Sequence, residues 1–222
     1  RVRRALNYAV NREVIVSKLL NNKVQMATQT APSFAFGWDP NIELWPYDIN
    51  KARELLVEAG YPNGFSFTAE ILLSAASYSS QVYQQVASDL LRVGVNLSIT
   101  RIPASQYARG VYQGKWKGEA IGIDYGVNPT LDALTPLVRH SCFWSKPWFC
   151  DQSIIPLIEK AQSTFNIEER KRLTQDVMRY QLALAPAILL YETSRFDAVS
   201  KDLLGYHIEV GHIDYNKLYF KK

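Results

Sequence analysis

The chain has 222 residues, 47% hydrophobic and 21% charged, with 13 Tyr, 9 Phe and 5 Trp. That length fits one large or two small domains with a self-sufficient core, and the apolar content excludes a disordered or collagen-like chain. No run of 18 apolar residues is present, so the sequence offers no transmembrane helix, and a net charge of +4 scattered along the chain argues against a nucleic-acid partner.

The chain opens Arg1-Val2-Arg3-Arg4 without Met or an apolar leader, as a processed or excised chain would, which leaves the compartment open. From Val2 to Leu20 the residues Val2, Leu6, Ala9, Val10, Val14 and Leu20 fall near one face, with Arg3, Arg4, Arg12 and Lys18 mostly elsewhere. This predicts one amphipathic helix stopped near Asn21-Asn22. Residues 30–47 hold Pro32, Gly37, Pro40 and Pro46 among Phe34, Phe36, Trp38, Trp45 and Tyr47, an ordered irregular loop. Asp48 then caps a helix running to Ala59, with Gly60 at its C′ position and Pro62 beyond.

Phe65 to Leu73 begins as an alternating strand, and Tyr78 to Val93 reads as a helix stopped by Gly94. Val95 to Ile102 alternates cleanly, Pro103 opens a short helix to about Gln113, and Glu119 to Ile123 is a short buried strand ending at Asp124. A helix is expected near Leu131–Val138, then a turn-rich loop, then helices near Gln152–Phe165 and Ile167–Leu184 separated by Asn166. Pro186 to Tyr191 reads as an apolar strand, with another candidate at Arg195–Val199. Helices alternating with strands give an α/β class with a mixed sheet flanked by helices. The Tyr-rich stretch from Gly205 to Phe220 has no period and reads as a segment that packs against something else.

Few residues invite chemistry. There is no phosphate-binding glycine loop, no Gly-x-Ser-x-Gly elbow and no His-Glu-x-x-His. His140, His207 and His212 make a poor metal set, and no cofactor is expected. Cys142 and Cys150 sit in a turn-rich loop with seven residues between them. A disulfide there would add about 2.5–3 kcal/mol on the chain-entropy model and would imply an oxidising compartment; two unrelated thiols are the alternative. A thiol enzyme using Cys142 with His140 is a second reading, and free-thiol titration separates the two. Glu168-Glu169-Arg170-Lys171-Arg172 suits a helix start and reads as a solvated face. Asp124 differs, because a carboxylate directly after an apolar strand sits where sheet ends line crevices in open α/β folds; a cap for the turn toward Pro129 is its alternative.

Two long segments carry a resemblance. Val2-Arg-Arg-Ala-Leu-Asn-Tyr-Ala-Val-Asn-Arg-Glu13 resembles the opening of the C-terminal lobe in the family 5 (peptide, oligopeptide and nickel-type) extracellular solute-binding proteins of ABC importers. Tyr47-Asp-Ile-Asn-Lys-Ala-Arg-Glu-Leu-Leu-Val-Glu-Ala-Gly-Tyr-Pro-Asn-Gly64 is similar to that family's most recognisable helix and turn. The resemblance implies a periplasmic-binding-protein-like type II lobe over residues 1–200. Residues 201–222 are then a return segment packing on an N-terminal lobe that would precede Arg1. It further implies a small-molecule or peptide solute, permease subunits as partners, and a periplasmic or tethered extracytoplasmic location.

In the family's peptide receptors, the aspartate of a Trp-x-x-Asp-Tyr segment pairs with the ligand's α-amino group, and Asp124-Tyr125 occupies that place. Ile121 stands where the family commonly has Trp, and Asn128-Pro129 replaces the usual Asp-Pro. The expected binding set is Asp124 for an amine, Tyr125 and Asn128 lining the crevice, and Arg101 and Arg109 for a ligand carboxylate. A ligand-sensing module of a regulatory protein is a further alternative with the same lobe.

Overall fold

A computed structural model describes residues 1–72, 79–138, 140–194, 197–209 and 212–221. Helix α1 (Val2–Ala9) ends where Val10 turns extended at φ −92°, ψ 121°, and Asn11 restarts the chain into α2 (Arg12–Val14) and a π-helical turn (Ile15–Leu19). The single helix expected over this run is therefore two pieces. The Asn11 side chain accepts from Val14 N, while its own N–H donates to Asp89 Oδ2 at 2.9 Å. That second bond spans 78 residues, and no local pattern announces it.

Helix α3 (Ile49–Glu58) is capped as expected, with Asp48 Oδ1 accepting from Lys51 N at 2.9 Å. Strand β1 (Phe65–Leu72), helix α4 (Ser79–Leu91), strand β2 (Val95–Ile102), helix α5 (Ala104–Gln113) and strand β3 (Ala120–Gly122) follow in the expected order. Leu73 and Tyr78, which bounded two of those expectations, lie outside the described residues. The strands pair in the order β2-β1-β3 and all run parallel, so the α/β class holds and the paired sheet is a parallel one. Two glycines start β1 and β2 together. Gly64 (φ +74°) lies so close to Gly94 (φ +80°) that a Cβ on Gly64 would meet the Gly94 carbonyl oxygen at 1.9 Å. Phe65 is then in register with Val95. At the sheet's centre the buried Glu70 carboxylate accepts from Gln106 Nε2 and from the Lys117 and Gly118 N–H groups, which ties β1 to α5 and to the approach of β3.

Residues 131–138 do not form the helix expected there. Leu131 adopts φ +54°, and only Thr135–Val138 makes a 3-10 turn. Phe36 takes the backbone groups instead: its N–H donates to Leu131 O, and its carbonyl accepts from Ala133 N. Helices α6 (Ile155–Ser163) and α7 (Ile167–Leu184) form a hairpin, α7 being capped by Asn166.

Two cores result. Ala5, Ala9, Ile15, Leu56, Val86 and Leu90 bury α1 and α3 against α4 and the sheet. Ile42, Leu134, Leu137, Ile158, Val177 and Met178 bury the hairpin against the 30s loop and residues 127–137. Burying these faces supplies the main driving force for both units. The run Pro186–Tyr191 does not form the strand expected there; among the described residues its one bridge is Tyr191 to Met26. Arg195 and Phe196 lie outside the described residues, and 197–199 form no strand. In the tail, β4 (Leu203–Leu204) pairs with β7 (Tyr219–Phe220), and β5 (Ile208–Glu209) with β6 (His212–Ile213). Tyr215, Tyr219 and Phe220 remain exposed.

Candidate functional site

The parallel strands end on one edge of the sheet, and β3 leads from Gly122 through Ile123 into Asp124. The Asp124 carboxylate is exposed. Tyr83 of α4 and Tyr191 stand beside it. Burial, and after it the Asp124 charge, raises both phenols above the ordinary 10.0. Gly122 makes room for this cluster, since a Cβ there would lie 2.3 Å from the Tyr83 hydroxyl. The next residue after Tyr191, Glu192, accepts from Ser33 N at 3.0 Å and from Ser33 Oγ at 2.9 Å, which ties the 30s loop to this position.

Tyr125 belongs to a different group from Asp124. Its half-buried ring lies 4.4 Å from the His140 ring, which lies 4.3 Å from that of Trp148, and burial alone raises its phenol. Asn128 is exposed beside the cis peptide to Pro129. Arg101 is the second-last residue of β2, across β1 from β3, and donates to Ser80 Oγ; Arg109 is exposed on α5. Among the described residues no hydrogen bond or ion pair joins either arginine to Asp124. The structure thus gathers Asp124 with Tyr83 and Tyr191, neither of which the sequence singled out, and leaves the two arginines apart.

Cys142 and Cys150 are joined, with S–S 2.02 Å, so the thiol of the enzymatic reading is in a disulfide. The aromatics of this loop are largely packed on the lobe itself. Trp144 Nε1 donates to Val111 O at 2.8 Å, and the Arg3 guanidinium lies 5.1 Å over the Phe149 ring. Among the described residues no group of three or more His, Cys, Asp or Glu side chains could hold a metal ion, and no helix is long and apolar enough to cross a membrane.

Residues 1–142 match the family model for bacterial extracellular solute-binding proteins, family 5 middle. The chain belongs to that family. It is 31% identical over 228 residues to the glutathione-binding protein GsiB of Escherichia coli K12, covering 94% of this chain and 42% of that protein. Its fold is that of the oligopeptide-binding protein AppA of Bacillus subtilis, solved with a nonapeptide, at TM-score 0.81, 19% identity and coverage of 100% and 47%. It is also that of the periplasmic binding protein DppA of Helicobacter pylori, solved with the peptide STSA, at TM-score 0.75, 20% identity and coverage of 99% and 44%. The chain spans less than half the length of each of these relatives.

Proposed function

We propose that this chain is the ligand-binding lobe of a solute receptor serving an ABC importer. The receptor closes two lobes around an amine-bearing, peptide-like solute and presents it to a membrane permease. The observation that carries the reading is the exposed Asp124 carboxylate at the carboxyl end of the parallel sheet, beside Tyr83 and Tyr191. Ligands of open α/β folds gather at that edge. An ionised carboxylate there is worth little in water, but a second lobe that excludes water makes its pairing with an ammonium group strong. The relatives support the ligand class, since glutathione and the two bound peptides named above all offer a free amine.

Asp124 fixes the ligand amine, Tyr125 and Asn128 border the crevice, and Arg101 near the end of β2 and Arg109 on α5 serve ligand carboxylates. Residues 201–222 pack on the other lobe, which accounts for a tail whose strands pair with one another and whose Tyr215, Tyr219 and Phe220 stay exposed. Hinge closure is the repertoire of two-lobed receptors. The location is periplasmic or extracytoplasmic, with or without a membrane tether, as the periplasmic DppA relative and the disulfide support. Native mass spectrometry of the two-lobed receptor tests the reading: a co-purifying small solute with a primary amine is expected, and a purely anionic or neutral solute overturns it.

A further inference from the structure

The run 186–192 forms no sheet, yet hydrogen bonds reach its backbone from two sides. One edge faces residues 25–27: Ala27 N donates to Leu190 O, Glu192 N donates to Gln25 O at 2.8 Å, and Tyr191 bridges Met26. On the other side lie the carbonyls of Ala187 and Leu189, two residues apart, preceded by that of Ala185, the left-handed residue (φ +50°) that ends α7. Side chains from the start of the chain fill it. Arg3 Nε donates to Ala185 O at 2.9 Å, Asn7 Nδ2 to Ala187 O at 3.1 Å and Arg12 Nε to Leu189 O at 2.6 Å. Arg3 Nη2 and Arg4 Nη2 also cap the C-terminal carbonyls of α7 at Leu184 and Ala183.

Arg12 is the unusual member. It is 3% exposed, and the acceptors around its guanidinium are the carbonyls of Asn7, Val10 and Leu189 and the Asn7 amide oxygen, with no carboxylate among them. Asn7, fully buried, accepts from Arg12 Nη2 at 2.6 Å while donating to Ala187 O, so the two side chains act as one brace. A buried cation held only by neutral oxygens is a poor way to add stability. Its planar fork is well suited to fixing several carbonyls at set positions.

We infer that Asn7 and Arg12 are positioning residues, which hold the 187–192 run in register and thereby set Tyr191 at the Asp124 crevice. The assignment of that crevice to solute rests on the receptor reading above; the brace itself does not. It acts at a distance, since neither Asn7 nor Arg12 bonds Asp124, and it acts through a run whose Tyr191 stands beside that carboxylate.

Hydrogen exchange and tyrosine titration on the full chain test this. In Arg12→Gln, and in the milder Asn7→Ala, the Ala27 and Glu192 amides should exchange at least tenfold faster while the β1 and β2 amides keep their rates. The Tyr191 phenol, assigned by difference against Tyr191→Phe, should titrate closer to the ordinary tyrosine value in both variants. Arg3→Gln, whose side chain bonds Leu184 and Ala185 and lies over Phe149 but bonds no carbonyl of 187–192, should leave all three signals unchanged. The inference is overturned if Tyr191 and the two amides are unmoved in both brace variants. It is equally overturned if the β1 and β2 amides accelerate as much as Ala27 and Glu192, because the pair then only holds the lobe together. Neither readout needs a ligand, so failure here and failure of the receptor reading are separable.

Discussion

Replacing Gly64 by Ala tests how the turns before β1 and β2 start the sheet. Gly64 has φ +74°, a region that costs an L-residue about 1–2 kcal/mol. A Cβ there would also stand 1.9 Å from the Gly94 carbonyl oxygen and 2.3 Å from its carbon, far inside any contact distance. Backbone cannot swing aside as a side-chain end can, so the two turns must separate, and overpacking of this kind adds about 1–3 kcal/mol. Gly60 supplies the control: its φ is +87°, but nothing lies within 4 Å of a Cβ placed there. Gly60→Ala should therefore show the conformational cost alone, and Gly64→Ala about 2–5 kcal/mol in all. Urea unfolding followed by circular dichroism, with the slope checked for constancy, reads both. At about 2–4 °C per kcal/mol, the melting temperatures should differ by several degrees. Equal losses for the two variants would refute the close-approach argument.

Two further outcomes follow from the same structure. Reducing the Cys142–Cys150 disulfide, or replacing both residues by Ser, should lower stability by about 2.5–3 kcal/mol; thermal melts with and without reductant check this, and unchanged melting refutes it. Tyr83, Tyr125 and Tyr191 all have phenols raised above 10.0 in the folded chain, chiefly by burial. The native state then holds these protons more tightly than the unfolded state, so their contribution is complete below pH 10 and is lost as pH rises beyond it. Denaturant titrations from pH 8 to 12 should show falling stability, and Tyr83→Phe should flatten the slope. A slope that Tyr83→Phe leaves unaltered contradicts the assignment.

Much of this fold was legible because its elements carry local signatures. Asp48 and Asn166 cap α3 and α7, Gly94 stops the turn before β2, and Val95–Ile102 alternates. What could not be read was set by partners far away in sequence. The break at Val10-Asn11 depends on Asp89, and the two apolar positions Val10 and Val14 hide it within one helical stripe. Arg12 reads as part of a polar face and is buried, because the chain folds Leu189, whose carbonyl its Nε reaches, back from 177 residues away. Pro186–Tyr191 has a strand's composition, but one of its sides is bonded by side chains, which no strand pattern encodes. Within the site, Asp124 stood out from its place after an apolar strand. Tyr83 looked like ordinary helix and Tyr191 like the end of a run, and only folding brings both to the same carboxylate.

We propose that Asp124 holds the solute's amine in a closed cleft. Isothermal calorimetry on the two-lobed receptor measures it most directly, comparing the wild-type protein with Asp124→Ala for an amine-bearing solute and its N-acetylated form. The account predicts a loss of about 2–5 kcal/mol for the amine-bearing solute in Asp124→Ala, with little further loss on acetylation in that variant. Unchanged affinity in Asp124→Ala, or an acetylated solute bound by the wild type as tightly as the free amine, would contradict it.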